Sequence, residues 1–582
     1  MRKASMSIET WTRALNAALA AGDPEAVAAL FLPDGFWRDF IATDWTLRTV
    51  EGAADIAAFA VAHAAPAGLV VAPETAGDEA SEGFVTFETA LGRGRGYLRL
   101  REGRCRTLLL SLEELKGHEE PLRARRPSGL VDDPQGRNWA ERLAAKAEAY
   151  GDAAQPYVLV VGGGQAGLAL GARLEMQGVP YLIVDKHPRV GDQWRNRYKA
   201  LTLHDPVWYD HMPYLPFPDF WPVFTPKDKM ADWLEAYAHA LELAIWTGTE
   251  MLGAARNQVD DGWTVTLRRG DRTVTLAPTH LVMAVGNAGF PRLPEFEGAE
   301  TFAGPQLHSS QFASGEGMAG RRVVIVGANN SAHDIAADLA ANGAHPVMIQ
   351  RSSTLIIRQS TLTDVLFKPV FSQEAVEAGI TTDRADLLLV SNPMRVQEEN
   401  NRRVWDAIRV AEKPFYDRLT AAGFQLDFGE DGTGLMKYQR AASGYYIDVG
   451  ACEMVADGRI GIRAGVGVAR LVPEGVEMAD GEILPADMIV HATGFGAMEE
   501  WVARLIDPET AARVGRCWGY GSGTRGDPGP WEGELRNMWK PTAQPGLWFM
   551  GGNLAQSRFY SGLLGLQLKA RHAGLVPAPH GA

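Results

Sequence analysis

Polar and apolar positions along the chain switch period several times, and the switches divide it into blocks. Ile8–Ala21 and residues 24–31 carry apolar residues at helical spacing, with "AGDP" between them as a break. "GFVTFETALGRGRGYLRLREGRCRTLLLSL" then alternates in the manner of long strands with Gly-rich turns. Residues 7–116 are therefore expected to form a small α+β domain. "KGHEEPLRARRPSGLVDDPQGRN" is charged, Pro-containing and aperiodic, and "NWAERLAAKAEAY" is helical, so residues 117–154 make a linker and a helix. From residue 155 short apolar runs alternate with helical segments to about residue 575, the pattern of parallel sheets covered by helices on both faces.

The densest chemical signal opens that second block. In "YVLVVGGGQAGLALGARLEMQGVPYLIVDKH" a buried-type strand, residues 157–161, runs into Gly162, Gly164 and Gly167. The helix Gln165–Met176 follows, then the strand Tyr181–Val184, ending in Asp185 and Lys186. This is a dinucleotide fingerprint. The first glycine makes the turn, the second admits the pyrophosphate, and the third lets helix and strand pack. Gln165 and Ala166 begin the helix whose N-terminus faces the phosphates, and Asp185 can accept from a ribose hydroxyl.

A second unit reads "RRVVIVGANNSAHDIAADLAANGAHPVMIQRSS". Gly327 keeps the tight turn, Asn329 stands at the second glycine position, and Ala332 at the third. Asn330 and Ser331 open the helix, and Ser331 can donate to a phosphate. Asn tolerates the left-handed conformation better than most non-glycines, which is one way Asn329 is accommodated. No acid ends the following strand. Gln350, Arg351 and Ser352 are there instead, and a guanidinium suits a 2′-phosphate, so NADPH is expected over NADH.

Other motifs tie these units to a family. Gly191, Gln193 and Trp194 in "RVGDQWRNRYKALTLHDPVWYDHMPYLPFP", and Phe302, Gly304, His308 and Phe312 in "FAGPQLHSSQF", resemble segments of class B flavin-dependent monooxygenases, in the flavin-containing monooxygenase and YUCCA-like group. The resemblance spans about residues 155–575. It implies two Rossmann-like domains: FAD binding in 155–300 and 485–575, and NADPH binding in 301–484 with a helical insertion. The strip around His308 would couple the two domains and not serve as a general base. Thr493 and Gly494 in "HATGFG" would mark the return crossing, and Gly551, Gly552 and Asn553 would approach the flavin. His204, in His204-Asp205-Pro206, falls where many members carry Asn, and with Asn553 is the candidate catalytic residue, either steadying an oxygenated flavin or packing beside it. Trp405 and Phe415 are expected to be packing. The first domain resembles NTF2-like or SnoaL-like folds. It would be a structural or dimerising appendage, giving a homodimer, or else a pocket with acids Asp34, Asp39 and Asp44 near aromatics.

The chemistry the resemblance implies is hydride transfer from NADPH to FAD, then O2 addition giving a C4a-hydroperoxide and N- or S-oxygenation of a small molecule. YUCCA-like oxidative decarboxylation, Baeyer–Villiger oxygenation and an uncoupled NADPH oxidase are the alternatives, with a non-catalytic redox sensor outside the enzymes. Composition narrows the rest. A net charge of −14 argues against a nucleic-acid partner. Three cysteines without Cys-x-x-Cys spacing exclude a redox pair, and no metal-ligand cluster shows. No run of 18 apolar residues predicts a membrane span and no convincing signal peptide opens the chain, so a cytoplasmic protein is expected.

Overall fold

The computed structural model describes residues 6–75, 80–130, 132–151, 153–257, 262–286, 289–519 and 536–576. Ser7 caps the first helix, Ile8–Ala21, by accepting from the Thr10 N–H, and Gly22 ends it in the left-handed conformation. Asp23 caps the next, Pro24–Leu30. Their buried face, with Trp11, Leu15 and Val27, lies on a six-stranded sheet. Its strand order is Leu47–Glu51, Phe31–Phe40, Arg104–Leu115, Gly92–Arg101, Glu82–Glu88, Val70–Pro73. Phe31–Phe40 and Arg104–Leu115 run parallel and the other neighbours antiparallel.

Three strands, Phe31–Phe40, Leu47–Glu51 and Val70–Pro73, and the helix Ala53–Phe59 thus occupy a stretch where the polar pattern showed none. For Phe31–Phe40 the reason is burial on both faces: residues 35–40 are all buried, so no alternation survives in the sequence. Trp11, Phe31, Trp37 and Phe59 interleave, with ring centroids 5.5–6.0 Å apart. Of the three acids Asp34 stands apart, while Asp44 N donates to Asp39 Oδ1 at 3.4 Å. Asp34 pairs with Arg106 at the surface and Asp44 with Arg48 at 2.7 Å. Asp39 is buried and caps a turn, accepting from Ala42 N at 3.0 Å and Thr43 Oγ1 at 2.7 Å.

Two parallel five-stranded sheets follow. The first has the order Leu547–Phe549, His280–Met283, Val158–Val161, Tyr181–Val184, Ile245–Trp246, so the last strand of the chain pairs beside strands from the first half of the block. The second has the order Gln306–His308, Met488–His491, Arg322–Val326, His345–Gln350, Gly461–Ala464. Met488–His491 therefore lies inside the second sheet. The chain crosses back to the first only after His491, later than the expected boundary at 484. Helices between residues 359 and 456 gather round a small sheet, Leu426–Asp427, Thr354–Arg358 and Tyr445–Asp448, and form the insertion. Among the described residues no helix is long and apolar enough to cross a membrane, and no group of three metal-ligating side chains occurs.

Candidate active site

Both sheets present a glycine turn at the carboxyl end of a central strand, where doubly wound folds bind nucleotides. Gly162 has φ 114°, and a Cβ there would sit 2.3 Å from the Ala284 carbonyl oxygen. Gly327 repeats this with φ 133° and the Ala492 carbonyl oxygen at 2.3 Å. Neither position takes another residue without moving the neighbouring strand. A Cβ on Gly167 would lie 1.9 Å from the Gly162 oxygen, so it serves packing.

The helices that follow begin without side-chain caps. Gly164 precedes Gln165–Met176 and Asn329 precedes Asn330–Ala341, and neither helix start has a side-chain cap hydrogen bond. Asn is among the strongest N-cap residues, yet Asn329 leaves the first N–H groups unclaimed, as an anion site requires. Its φ is −106° with ψ −165°, extended backbone like that of Gly164 (φ −77°, ψ −175°). The left-handed tolerance of Asn, expected to explain its presence, is therefore not used.

A cavity of about 920 Å³ opens beside the first turn. Gly162, Gly164, Gln165, Ala166, Asp185, Lys186 and Gln193 line it, and Gly551 and Gly552 close it from the far end of the chain. Asp185 accepts from Gly163 N at 2.6 Å and from the His187 N–H and Nδ1 at 2.8 and 2.9 Å. These donors hold its carboxyl below the usual range against the opposing effect of burial, so it stays an acceptor. Gln193 Nε2 is buried and has no hydrogen-bond partner. A cavity of this size above an uncapped helix start, with the unpartnered Gln193 amide packed close to the Gly164 turn, fits a bound dinucleotide. Trp194, expected at the cofactor, instead packs against the hydrophobic core, with its Nε1 buried and without a partner.

At the second turn Ala332 is buried and Ser331 half-buried. Asn330 turns to the insertion, where its Oδ1 accepts from Ile447 N at 3.2 Å. It anchors strand Tyr445–Asp448 and does not offer that oxygen to a phosphate. Gln350 is spent on structure, exchanging hydrogen bonds with Gln425 at 2.8 Å. Arg351 and Ser352 are exposed, and Arg351 makes no ion pair or hydrogen bond among the described residues.

His308 links the two halves. Its Nδ1 accepts from Ser310 N at 3.2 Å and its Nε2–H donates to the Gly494 oxygen at 3.0 Å. Burial lowers its pKa, which favours this neutral form. Thr493 Oγ1 donates to the Arg292 oxygen beside it. Phe302 and Phe312 are buried.

A second cavity, about 360 Å³, begins where the first ends. Gly551 and Gly552 line one; Asn553, the next residue, lines the other. Asn553 caps the helix Leu554–His572: its Oδ1 accepts from Gln556 N at 3.0 Å, and its Nδ2 donates to Tyr209 Oη at 3.0 Å. Its side chain is thus committed to holding the wall. His204 and Asp205 line this cavity too, among Phe367, Trp405, Tyr438 and Tyr445. Trp405 is both core and cavity wall, whereas Phe415 is core alone, 2% exposed beneath Arg358. Burial pushes the carboxyls of Asp205 and Asp210 up, and Asp205 raises Asp210 further. Asp210 Oδ2 has no partner. This acid pair is silent in the sequence because two aspartates five residues apart in a loop carry no periodic signal.

Two uncapped helix starts on two parallel sheets, joined through a buried histidine and sharing an aromatic cavity at their seam, define a flavoprotein oxidoreductase that uses two dinucleotides. Its three cysteines are free and buried, so no disulfide takes part. The family model described as pyridine nucleotide-disulphide oxidoreductase matches residues 159–441. The indole-3-pyruvate monooxygenase YUCCA1 of Oryza sativa subsp. japonica is 30% identical over 352 residues, 58% of this chain and 77% of that protein. The probable indole-3-pyruvate monooxygenase YUCCA7 of Arabidopsis thaliana is 30% identical over 348 residues, 58% of this chain and 73% of that protein. The fold is shared with cyclohexanone monooxygenase from Rhodococcus sp. Phi1 bound to NADP+, with TM-score 0.51, 16% identity and coverage of 72% of this chain and 84% of that one. The chain belongs to the class B flavin-dependent monooxygenases, the family of the YUCCA enzymes, which are NADPH-dependent oxidoreductases.

Proposed function

We propose that this FAD- and NADPH-dependent monooxygenase places one oxygen atom from O2 on a small aromatic or apolar molecule held in the 360 Å³ cavity, by N- or S-oxygenation. The observation that carries this is the seam at Gly551–Asn553, where the larger cavity gives way to the aromatic one. FAD fits the larger cavity, its pyrophosphate on the start of Gln165–Met176, its ribose on Asp185 and Lys186, and an acceptor atom on Gln193 Nε2. NADPH fits the second turn, with Ser331 toward the phosphates and Arg351 and Ser352 toward the 2′-phosphate. When bound, the flavin supplies the electron transfer and the O2 chemistry.

The chain's own residues position and insulate. His308 holds the two halves in register. Asn553 and Tyr209 fix the seam. Asp205, its carboxyl pushed up by burial against the opposing effect of His204 beside it, stands at the cavity wall as a group able to take up or give a proton. The aromatic lining excludes water from the reacting atoms. Relatives named for indole-3-pyruvate favour a second reading, oxidative decarboxylation of a 2-oxo acid, for which the aromatic lining is equally suited. The first domain, read as NTF2-like, supports the catalytic block as an appendage, and a homodimer through it is part of this proposal.

The test is anaerobic mixing of the yellow protein with NADPH or NADH, followed by O2 and one of two probes, methyl phenyl sulfide or indole-3-pyruvate. Bleaching by NADPH in preference to NADH, with sulfoxide formed, supports the proposal. Carbon dioxide release from indole-3-pyruvate without sulfoxide shifts it to decarboxylation. Stoichiometric peroxide with either probe shows an oxidase, and no bleaching defeats the reading.

A further inference from the structure

Among the described residues the first domain meets the catalytic block at the insertion and along the last long helix, Leu554–His572. Arg38, 1% exposed, leaves strand Phe31–Phe40 and crosses to the turn between helices Thr382–Val390 and Met394–Ala411. Its Nη1 donates to the carbonyl oxygens of Val390 and, at 3.1 Å, Asn392, while Thr49 Oγ1 holds its Nε at 3.2 Å. Carbonyls at a helix C-terminus have no partner within the helix and carry the negative end of its dipole, so a guanidinium satisfies them twice over. From strand Gly92–Arg101, Arg99 donates to Ser391 Oγ at 2.8 Å in the same turn. Phe40 meets Phe559 and Tyr560, each at 6.4 Å between ring centroids. Arg395–Glu51 at 2.8 Å and Arg384–Glu74 at 2.5 Å flank the contact.

The residues held this way are cavity residues. Val390, Met394, Phe559 and Tyr560 line the 360 Å³ space, and so does Arg38. We propose that the first domain is a wall of the substrate cavity and that Arg38 is the positioning residue that keeps the 390–394 turn closed over it. The proposal rests on that cavity being the monooxygenase's substrate site. It gives the appendage a part in catalysis, because closure of the turn then depends on a domain outside the two nucleotide-binding sheets. A looser turn admits water to the seam, and water at the seam favours peroxide release over oxygen transfer.

The experiment uses the full-length, FAD-loaded chain carrying Arg38→Met, Arg38→Lys or Arg99→Met. Hydrogen–deuterium exchange is read over peptides spanning 385–396. Arg38→Met is expected to raise exchange there about tenfold while peptides from 158–176 keep the parent rate. NADPH-driven peroxide release without added substrate rises roughly threefold or more, while anaerobic bleaching by NADPH stays within about twofold. Arg38→Lys, which retains one cationic donor, falls between, and Arg99→Met gives the same pattern more weakly. Should Arg38→Met not fold, Arg38→Lys and Arg99→Met carry the comparison. Unchanged exchange over 385–396 in the variants, or loosening confined to the first domain, overturns the proposal. Failure of the parent chain to be bleached by NADPH removes the functional reading alone, and the exchange result still decides whether the domain is a wall.

Discussion

Arg351→Ala gives the sharpest test of how the second nucleotide is chosen. The strand His345–Gln350 ends without the acid that Asp185 supplies after Tyr181–Val184. Gln350 is 1% exposed and fully engaged with Gln425, so it is not available to a ribose. Arg351 is exposed and unpaired among the described residues, with its donors free for a 2′-phosphate. A charge-assisted hydrogen bond contributes about 1.5–3 kcal/mol, and exposure to solvent and salt holds this one to the lower end. At about 1.4 kcal/mol per factor of ten, Arg351→Ala is expected to lower kcat/KM for NADPH roughly tenfold and to leave NADH nearly unchanged. Arg351→Glu, which adds repulsion, lowers NADPH use by about a hundredfold and narrows the preference to near unity. The assay is coenzyme-dependent oxygen uptake at low salt, repeated at high salt, where the gap between parent and variant shrinks. Equal losses with NADPH and NADH would refute the assignment, because a residue reading the 2′-phosphate has no contact to lose with NADH.

Three further outcomes follow from the geometry. Gly167→Ala forces a Cβ to 1.9 Å from the Gly162 oxygen, so it lowers the melting temperature of the FAD-free protein. Gly164→Ala meets nothing nearer than Gln193 Nε2 at 3.5 Å and costs only flavin retention, read from the flavin-to-protein absorbance ratio. Comparable melting losses in both would show that the two glycines do not divide the work this way. Asn329→Gly changes the KM for NADPH by no more than about threefold, since the backbone there is already extended; a tenfold gain would mean that the Asn side chain occupies the phosphate's place. His333, buried and stacked on Tyr446 at 4.1 Å, has its pKa lowered to about 4 by burial. The unfolded chain therefore takes up this proton first, and as pH falls from 6.5 toward 4 the folded state loses roughly 3 kcal/mol on its account. His333→Phe keeps the stack and flattens the decline in melting temperature below pH 6.5; an unchanged slope counts against a neutral buried imidazole.

What the sequence made legible is what short-range physics controls. The helix Gln165–Met176 and the strand Tyr181–Val184 stand where the glycines and the apolar runs placed them, because turn chemistry and strand burial are local constraints. The strand Phe31–Phe40 was hidden because residues 35–40 are buried on both faces, and two-sided burial erases the alternation that marks a strand. Asn330 and Asn553 stand at cofactor positions in the motifs, yet tertiary contacts take their side chains: Ile447 N holds one, and Gln556 with Tyr209 holds the other.

The aromatic cavity was the least legible part, and the reason is geometric. Its lining comes from five separated stretches: Arg38 in the first domain, the His204–Asp205 loop, the insertion from Leu362 to Ile447, Trp518, and the start of the last long helix. Each contributes side chains that, taken alone, look like ordinary core: Trp405 is 1% exposed and packs with Leu355 and Ile408 while also facing the cavity. A nucleotide site is written in one turn and one helix start, since its ligand is bound mainly through backbone. A cavity for an apolar molecule is written in surfaces that meet only after folding. The two kinds of site therefore differ in what they reveal: the glycine turns disclose the cofactors of this enzyme, while the aromatic chamber that we propose for the substrate, walled in part by Arg38 and the residues 390 and 394, is encoded by no contiguous motif.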